Sequence, residues 1–83
     1  MTDMQWRAED FDAQLDACGL NCPLPLLKAK LALNRLVSGQ VLMVEATDAG
    51  SQRDFRAFAS LAGHGLLREE VEGGVYRYWL LKA

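Results

Sequence analysis

No stretch of this chain approaches the roughly 18–20 apolar residues needed to cross a bilayer. The segment from Met1 to Asp10 is polar and charged, without an apolar signal core. A soluble cytoplasmic protein is the expectation. Basic charge is also scarce: nine lysines and arginines stand against eleven acids, a formal net charge of −2. No positive field therefore draws the chain directly to nucleic acid. Histidine occurs once, at His64, and cysteine twice, at Cys18 and Cys22, too few soft ligands for a usual zinc site. In a cytosolic chain such cysteines are more often catalytic, metal-binding or structural than disulfide-bonded. No repeat, low-complexity segment or dividing linker occurs. With 83 residues the chain has room for one modest core and little for a deep cleft, which places chemistry at the surface or in a complex.

Against these absences stands Cys22-Pro23-Leu24-Pro25, directly before a leucine-rich stretch of helical spacing. A helix start presents unpaired N–H groups and the positive end of the macrodipole, and both favour a thiolate. Cysteines so placed reach pKa values of about 3.5–7.5, against about 8.5 when free. Pro23 suits the first helical position, where its missing N–H costs nothing. Pro25 removes a further donor, leaving the N–H groups of Leu24 and Leu26 to face the sulfur. The alternative is a helix entry preceded by a small, buried, inert cysteine.

The run Leu15-Asp16-Ala17-Cys18-Gly19-Leu20-Asn21-Cys22-Pro23-Leu24-Pro25 resembles the signature of the TusA/SirA-like sulfur-carrier family, Asp-x-x-Gly-x-x-Cys-Pro-x-Pro, with Asp16, Gly19, Cys22, Pro23 and Pro25 at its fixed positions. The similarity runs from about Leu15 to Lys82 and includes Gly39, Asp48, Arg53-Asp54, Gly63-His64 and Tyr76-Arg77-Tyr78. The resemblance implies a sulfurtransferase working within a relay rather than turning over alone. Cys22 would accept sulfane sulfur as a persulfide, the covalent intermediate, with no cofactor. It implies a cysteine desulfurase or other persulfide donor and a downstream acceptor protein as partners. Relatives are linked to tRNA thiolation, molybdenum-cofactor sulfur supply, sulfur oxidation and selenium metabolism, and no residue here separates those roles.

Along the chain, residues 1–11 read as a flexible tail and 12–83 as a single domain of this type. Trp6 is taken as a loose end rather than a latch. Phe11 to Asp16 alternates as a first strand, with Gly19 in the turn that follows. A helix is expected from Pro23 to about Val37, before Ser38-Gly39. At about 100° per residue, Leu26, Ala29, Leu33, Leu36 and Val37 fall on one arc, the core face. Leu24, Leu27 and Leu31 form a second stripe on the far side. Either they are scattered surface leucines or tail contacts, or they dock a sulfur-transfer partner or join two copies, which leaves a monomer or weak homodimer as the expected state.

Val41 to Thr47 reads as a buried strand broken by Asp48-Ala49-Gly50. A second helix follows, with Ser51 and Asp54 as a variant capping box and Phe55, Phe58, Ala59 and Ala62 facing the core. Gly63-His64-Gly65 ends it. Leu66–Glu72 and Val75–Leu81 read as strands joined by Gly73-Gly74, a strong hairpin signal. The order β-α-β-α-β-β predicts an α+β two-layer sandwich, a four-stranded mixed sheet with both helices on one face. Tyr76, Tyr78 and Leu80 share one face of the last strand, which puts Trp79 with Arg77 on the other, as a contact residue or an anchor for the tail.

Around Cys22 the supporting residues are Asp16 and Asp48 at the strand ends, with Asp16 placed to bond the cysteine loop, and Arg53 as counter-charge or partner contact. Turn stabilisation and a solvated helix face are the plainer roles for these three. An acid beside Cys22 would raise its pKa against the helix start. His64 is read as structural, forming the turn or satisfying a backbone group near the cysteine loop. Cys18 is either a small residue ending the first strand or a resolving thiol that closes a disulfide with Cys22. The second possibility defines the alternative function, a thiol–disulfide redox sensor or regulator.

Overall fold

Val41 to Ala46 is apolar apart from Glu45 and buried along nearly its whole length, as suits an interior strand of the sheet. The computed structural model describes residues 10–83, so Trp6 and the tail before Asp10 lie outside the described residues. Its elements are β1 (Ala13–Ala17), α1 (Leu24–Leu33), β2 (Val41–Ala46), α2 (Ser51–Ala62), β3 (Gly65–Glu72) and β4 (Val75–Leu81). The sheet order is β1-β2-β4-β3. β1 runs parallel to β2, whereas β4 is antiparallel to both β2 and β3. Both helices pack on one face, giving the expected two-layer sandwich with its mixed sheet.

Alternation sorts β2 and β4 between the faces. Leu42, Val44, Tyr78 and Leu80 meet Ala29 and Leu33 of α1 and Phe55 and Ala59 of α2 in the main core. Val41, Met43 and Trp79 form a smaller cluster on the other face, with Phe11 and Leu81 against it. Trp79 is thus buried as a packing residue of the face away from the helices. The Phe55 and Tyr78 rings stack with centroids 4.6 Å apart. Burial of each such side chain contributes about 1.5–3 kcal/mol. The β3–β4 turn places Gly73 and Gly74 at φ of 58° and 81°, left-handed conformations that a tight hairpin requires and that side chains disfavour.

The structure corrects several local expectations. α1 ends at Leu33, not Val37, because residues 34–36 tighten into turns, with the Arg35 N–H on Ala32 O and the Leu36 N–H on Leu33 O. Leu36 still packs against the core through this turn, but Val37 leaves the helical arc and is exposed. β1 spans Ala13–Ala17 rather than Phe11–Asp16. The capping box does not form: Gly50 is the N-cap, and the hydroxyl of Ser51 turns inward to the Tyr78 hydroxyl at 2.6 Å. A buried pair of hydroxyls outcompetes a solvent-exposed cap, since either group left alone would be desolvated without a partner. Ala62 faces solvent, one turn beyond buried Ala59. His64 is structural, but its Nδ1 accepts the Ala83 N–H at 3.0 Å, away from the cysteine loop. No helix among the described residues is long and apolar enough to cross a membrane.

Candidate functional site

Because β1 and β2 are parallel neighbours, their carboxyl ends lie side by side, and so do the segments that leave them for α1 and α2. The two loops therefore bring residues far apart in sequence to one end of the sheet. The β1–α1 loop is held by two local bonds. Asp16 Oδ1 accepts the Cys18 N–H at 3.0 Å, and Thr47 Oγ1, at the end of β2, accepts the Gly19 N–H at 2.9 Å. Gly19 itself sits at φ of 84° with open space where a Cβ would go, so its backbone angle rather than crowding calls for glycine. Asp16 therefore anchors the loop at Cys18, not at Cys22. The Cys18 N–H, and after it the Cys18 thiol, hold the Asp16 carboxyl below its ordinary range.

Pro23 is the N-cap of α1 and Pro25 lies in its first turn, so the helix opens at Leu24, one residue later than expected. Pro25 is buried, which gives it a packing role. The Leu24 N–H, expected to face the sulfur, is taken by the Asn21 carbonyl at 2.8 Å, and the Leu27 N–H closes the first turn on Pro23 O. Cys22 is exposed and free. Its Sγ donates a hydrogen bond to Asp54 Oδ2 in the first turn of α2. Asp54 Oδ1 in turn lies 3.6 Å from Arg53 Nε, whose side chain is 83 % exposed. Asp48 closes the site from the β2–α2 turn. A Cβ on Gly50 would sit 3.0 Å from Asp48 Oδ2 and 3.9 Å from Cys22 Cβ, so the absent side chain lets that carboxylate and Cys22 approach.

These neighbours reverse the expected electrostatics. The bond to Asp54, then partial desolvation, then the charges of Asp54 and Asp48 push the Cys22 thiol above its ordinary value, with Arg53 opposing. The carboxylates act as close full charges, whereas the macrodipole of a helix start presents about half a charge. The Cys18 thiol is raised as well, by desolvation first and then by Asp16. Asp54 is the residue sequence reading missed as part of the site. Assigned to a cap, it belongs to the sulfur, and the signal available was an acid in the first turn of a helix that starts beside the cysteine loop. Among the described residues no group of three His, Cys, Asp or Glu is placed to hold a metal.

The second leucine stripe is exposed: Leu24, Leu27 and Leu31 retain 46, 47 and 64 % of their surface. It lies opposite the buried Pro25, Ala29 and Leu33. Between the helices a groove of about 420 Å³ is lined by Leu26, Lys30, Phe58 and Leu61, with Asp54 also on its wall.

Fold and site together define a small two-layer α+β domain presenting one carboxylate-bonded surface thiol in a Cys-Pro-x-Pro turn. The family model described as sulfurtransferase TusA matches residues 13–82. The chain is 54 % identical over 74 residues to the sulfur carrier protein TusA of Allochromatium vinosum, covering 89 % of this chain and 97 % of that one. It is 44 % identical over 71 residues to the sulfur carrier protein TusA of Pseudomonas putida, covering 86 % and 89 %. The crystal structure of a SirA-like protein from Desulfitobacterium hafniense superposes with a TM-score of 0.75 at 28 % identity, covering 84 % of this chain and 96 % of that one. The chain belongs to the TusA family.

Proposed function

We propose that this protein is a sulfur carrier that accepts sulfane sulfur on Cys22 as a persulfide and passes it to an acceptor protein. Family membership supports the reading, and the observation that carries it is the exposed, free Cys22 thiol at the junction of two helix starts, open to another macromolecule's sulfur. In the accepting step the Cys22 thiolate attacks the outer sulfur of a donor persulfide. One S–S bond forms as one breaks, and the donor thiolate leaves and takes up a proton equivalent to the one Cys22 released. No external oxidant or reductant is involved. Donation to an acceptor thiolate is the same exchange in reverse. The donor is a protein persulfide such as that of a cysteine desulfurase, and Leu24, Leu27 and Leu31 form the surface on which donor or acceptor docks.

The test is intact mass of the reduced protein after incubation with a cysteine desulfurase, pyridoxal phosphate and cysteine. A reducible gain of about 32 Da, one sulfur atom, in the wild type and in Cys18→Ser but not in Cys22→Ser is the expected result. If no sulfur is gained and mild oxidant removes about 2 Da from the wild type alone, the thiol–disulfide reading through Cys18 replaces it.

A further inference from the structure

Among the described residues, the charged groups that act on Cys22 come from α2 and its entry turn. Asp54 holds the thiol by a hydrogen bond through Oδ2, Asp48 lies beside Gly50, and Arg53 reaches Asp54 Oδ1 from the solvent side. Two carboxylates thus act on the sulfur with one cation, and that cation is largely hydrated, so it compensates little of their charge; Lys30 of α1 shares the groove with Asp54 but sits over the Phe58 ring, 5.5 Å from its centroid. A thiol must lose its proton before it attacks sulfur, yet here its nearest polar partner is an acceptor that rewards keeping the proton.

Resting on the carrier reading, we propose that Asp54 is a positioning residue that locks Cys22 as a hydrogen-bonded thiol in the free carrier, and that a cationic side chain of the docked sulfur donor releases it by pairing with Asp54. Asp48 and Asp54 against Arg53 leave this edge of the site net negative, so a lysine or arginine brought against it is the chemistry that fits. Pairing withdraws Oδ2 from the thiol and neutralises the charge that disfavours the thiolate. The proton leaves to solvent, and the donor thiolate takes one up as it departs. The free carrier is thereby kept slow toward adventitious electrophiles, and the same sulfur becomes nucleophilic where the donor persulfide is present.

The experiment has two readouts on full-length protein. In the first, iodoacetamide alkylation of Cys22 is followed against pH in a Cys18→Ser background. Asp54→Asn is expected to move the midpoint to lower pH, Asp54→Glu to stay near the parent, and Arg53→Gln to move it to higher pH. Each unit of lowering gives about tenfold more thiolate below the midpoint, of which reduced nucleophilicity takes back a factor of about three. Asp54→Asn therefore alkylates faster near neutral pH, by about threefold for each unit by which its midpoint falls. A structural role alone would not shift midpoints in opposite directions for the two charges. An unmoved midpoint in Asp54→Asn, with an unchanged melting temperature, overturns the lock.

In the second, single-turnover sulfur transfer from a persulfidated cysteine desulfurase is followed against pH. The wild-type midpoint is expected below its alkylation midpoint, whereas in Asp54→Asn the two coincide. Coincident midpoints in the wild type overturn release by the donor. Failure of the wild type to gain sulfur at all strikes the carrier reading instead, and the alkylation profile still decides whether Asp54 locks the thiol.

Discussion

The two helices lie on the same face of the same sheet and follow parallel neighbouring strands, yet they distribute apolar residues differently. α2 is amphipathic in the usual sense: Ser51, Phe55 and Ala59 are buried, while Arg53, Arg56, Ala57 and Ser60 face outward, with Leu61 as its exposed leucine. α1 buries Pro25, Ala29 and Leu33 and still presents three leucines to solvent on the opposite side. The fold accounts for most residues of α2, since one stripe packs and the outward side is mainly polar, Ala57, Leu61 and Ala62 excepted. It leaves Leu24, Leu27 and Leu31 unexplained, on the helix that begins two residues after Cys22. Singly scattered surface hydrophobes are ordinary, whereas contiguous apolar patches are the kind of surface that binds partners.

Substitutions in the two helices and in β4 beneath them test that contrast most directly through stability. Phe55→Ala, which removes the ring stacked on Tyr78, is expected to lower unfolding free energy by about 3–5 kcal/mol in urea titration. A loss below 1 kcal/mol would mean that α2 does not pin the layer as described. Tyr78→Phe strips the partner from the buried Ser51 hydroxyl and should cost about 1–3 kcal/mol; a neutral result would show that this pair adds nothing to the attachment of α2. The double change Leu27→Lys with Leu31→Lys should alter stability by no more than about 0.5 kcal/mol, while slowing sulfur transfer from a desulfurase. If transfer is untouched, the stripe is not the docking surface; if stability collapses, the contrast between the helices is wrong.

The smallest effect concerns the far end of α2. Desolvation and then Lys82 hold the His64 imidazole below its ordinary value, so in the window beneath the unfolded-state value of about 6.5 the unfolded chain binds more protons than the folded one. Stability contributed here is present above that value and is lost as pH falls through the depressed folded one. Protonation also removes the acceptor for the Ala83 N–H. The melting temperature of the wild type should therefore fall slightly more between pH 7.5 and 5 than that of His64→Gln, and equal slopes would remove His64 from the account. The depressed Asp16 carboxyl titrates below this window and does not confound it.

The order of strands and helices was legible because each element carries its own period. Alternation marked β4, continuous apolarity marked β2, and Gly73-Gly74 marked the hairpin. Boundaries were less legible, since the tightening of residues 34–36 depends on where the chain must turn to enter β2. The placing of Cys22 just before a helix was legible from Cys-Pro-x-Pro, and the exposed leucine stripe from helical spacing alone. Asp54 was not, because one local pattern, an acid three residues after a serine, suits a cap as well as a site.

Local patterns in the sequence determined the element order, the face each strand presents and the placing of Cys22 at a helix entry, because these depend on residues within a few positions of one another. Only the tertiary structure decided the charge environment of the sulfur. Asp48 and Asp54 reach Cys22 because the sheet sets β1 beside β2, and Ser51 is free of the cap because Tyr78 arrives from another strand. Hydrogen bonds and Coulomb interactions act across space, so partners 26 or more positions apart become neighbours only once the layers have packed.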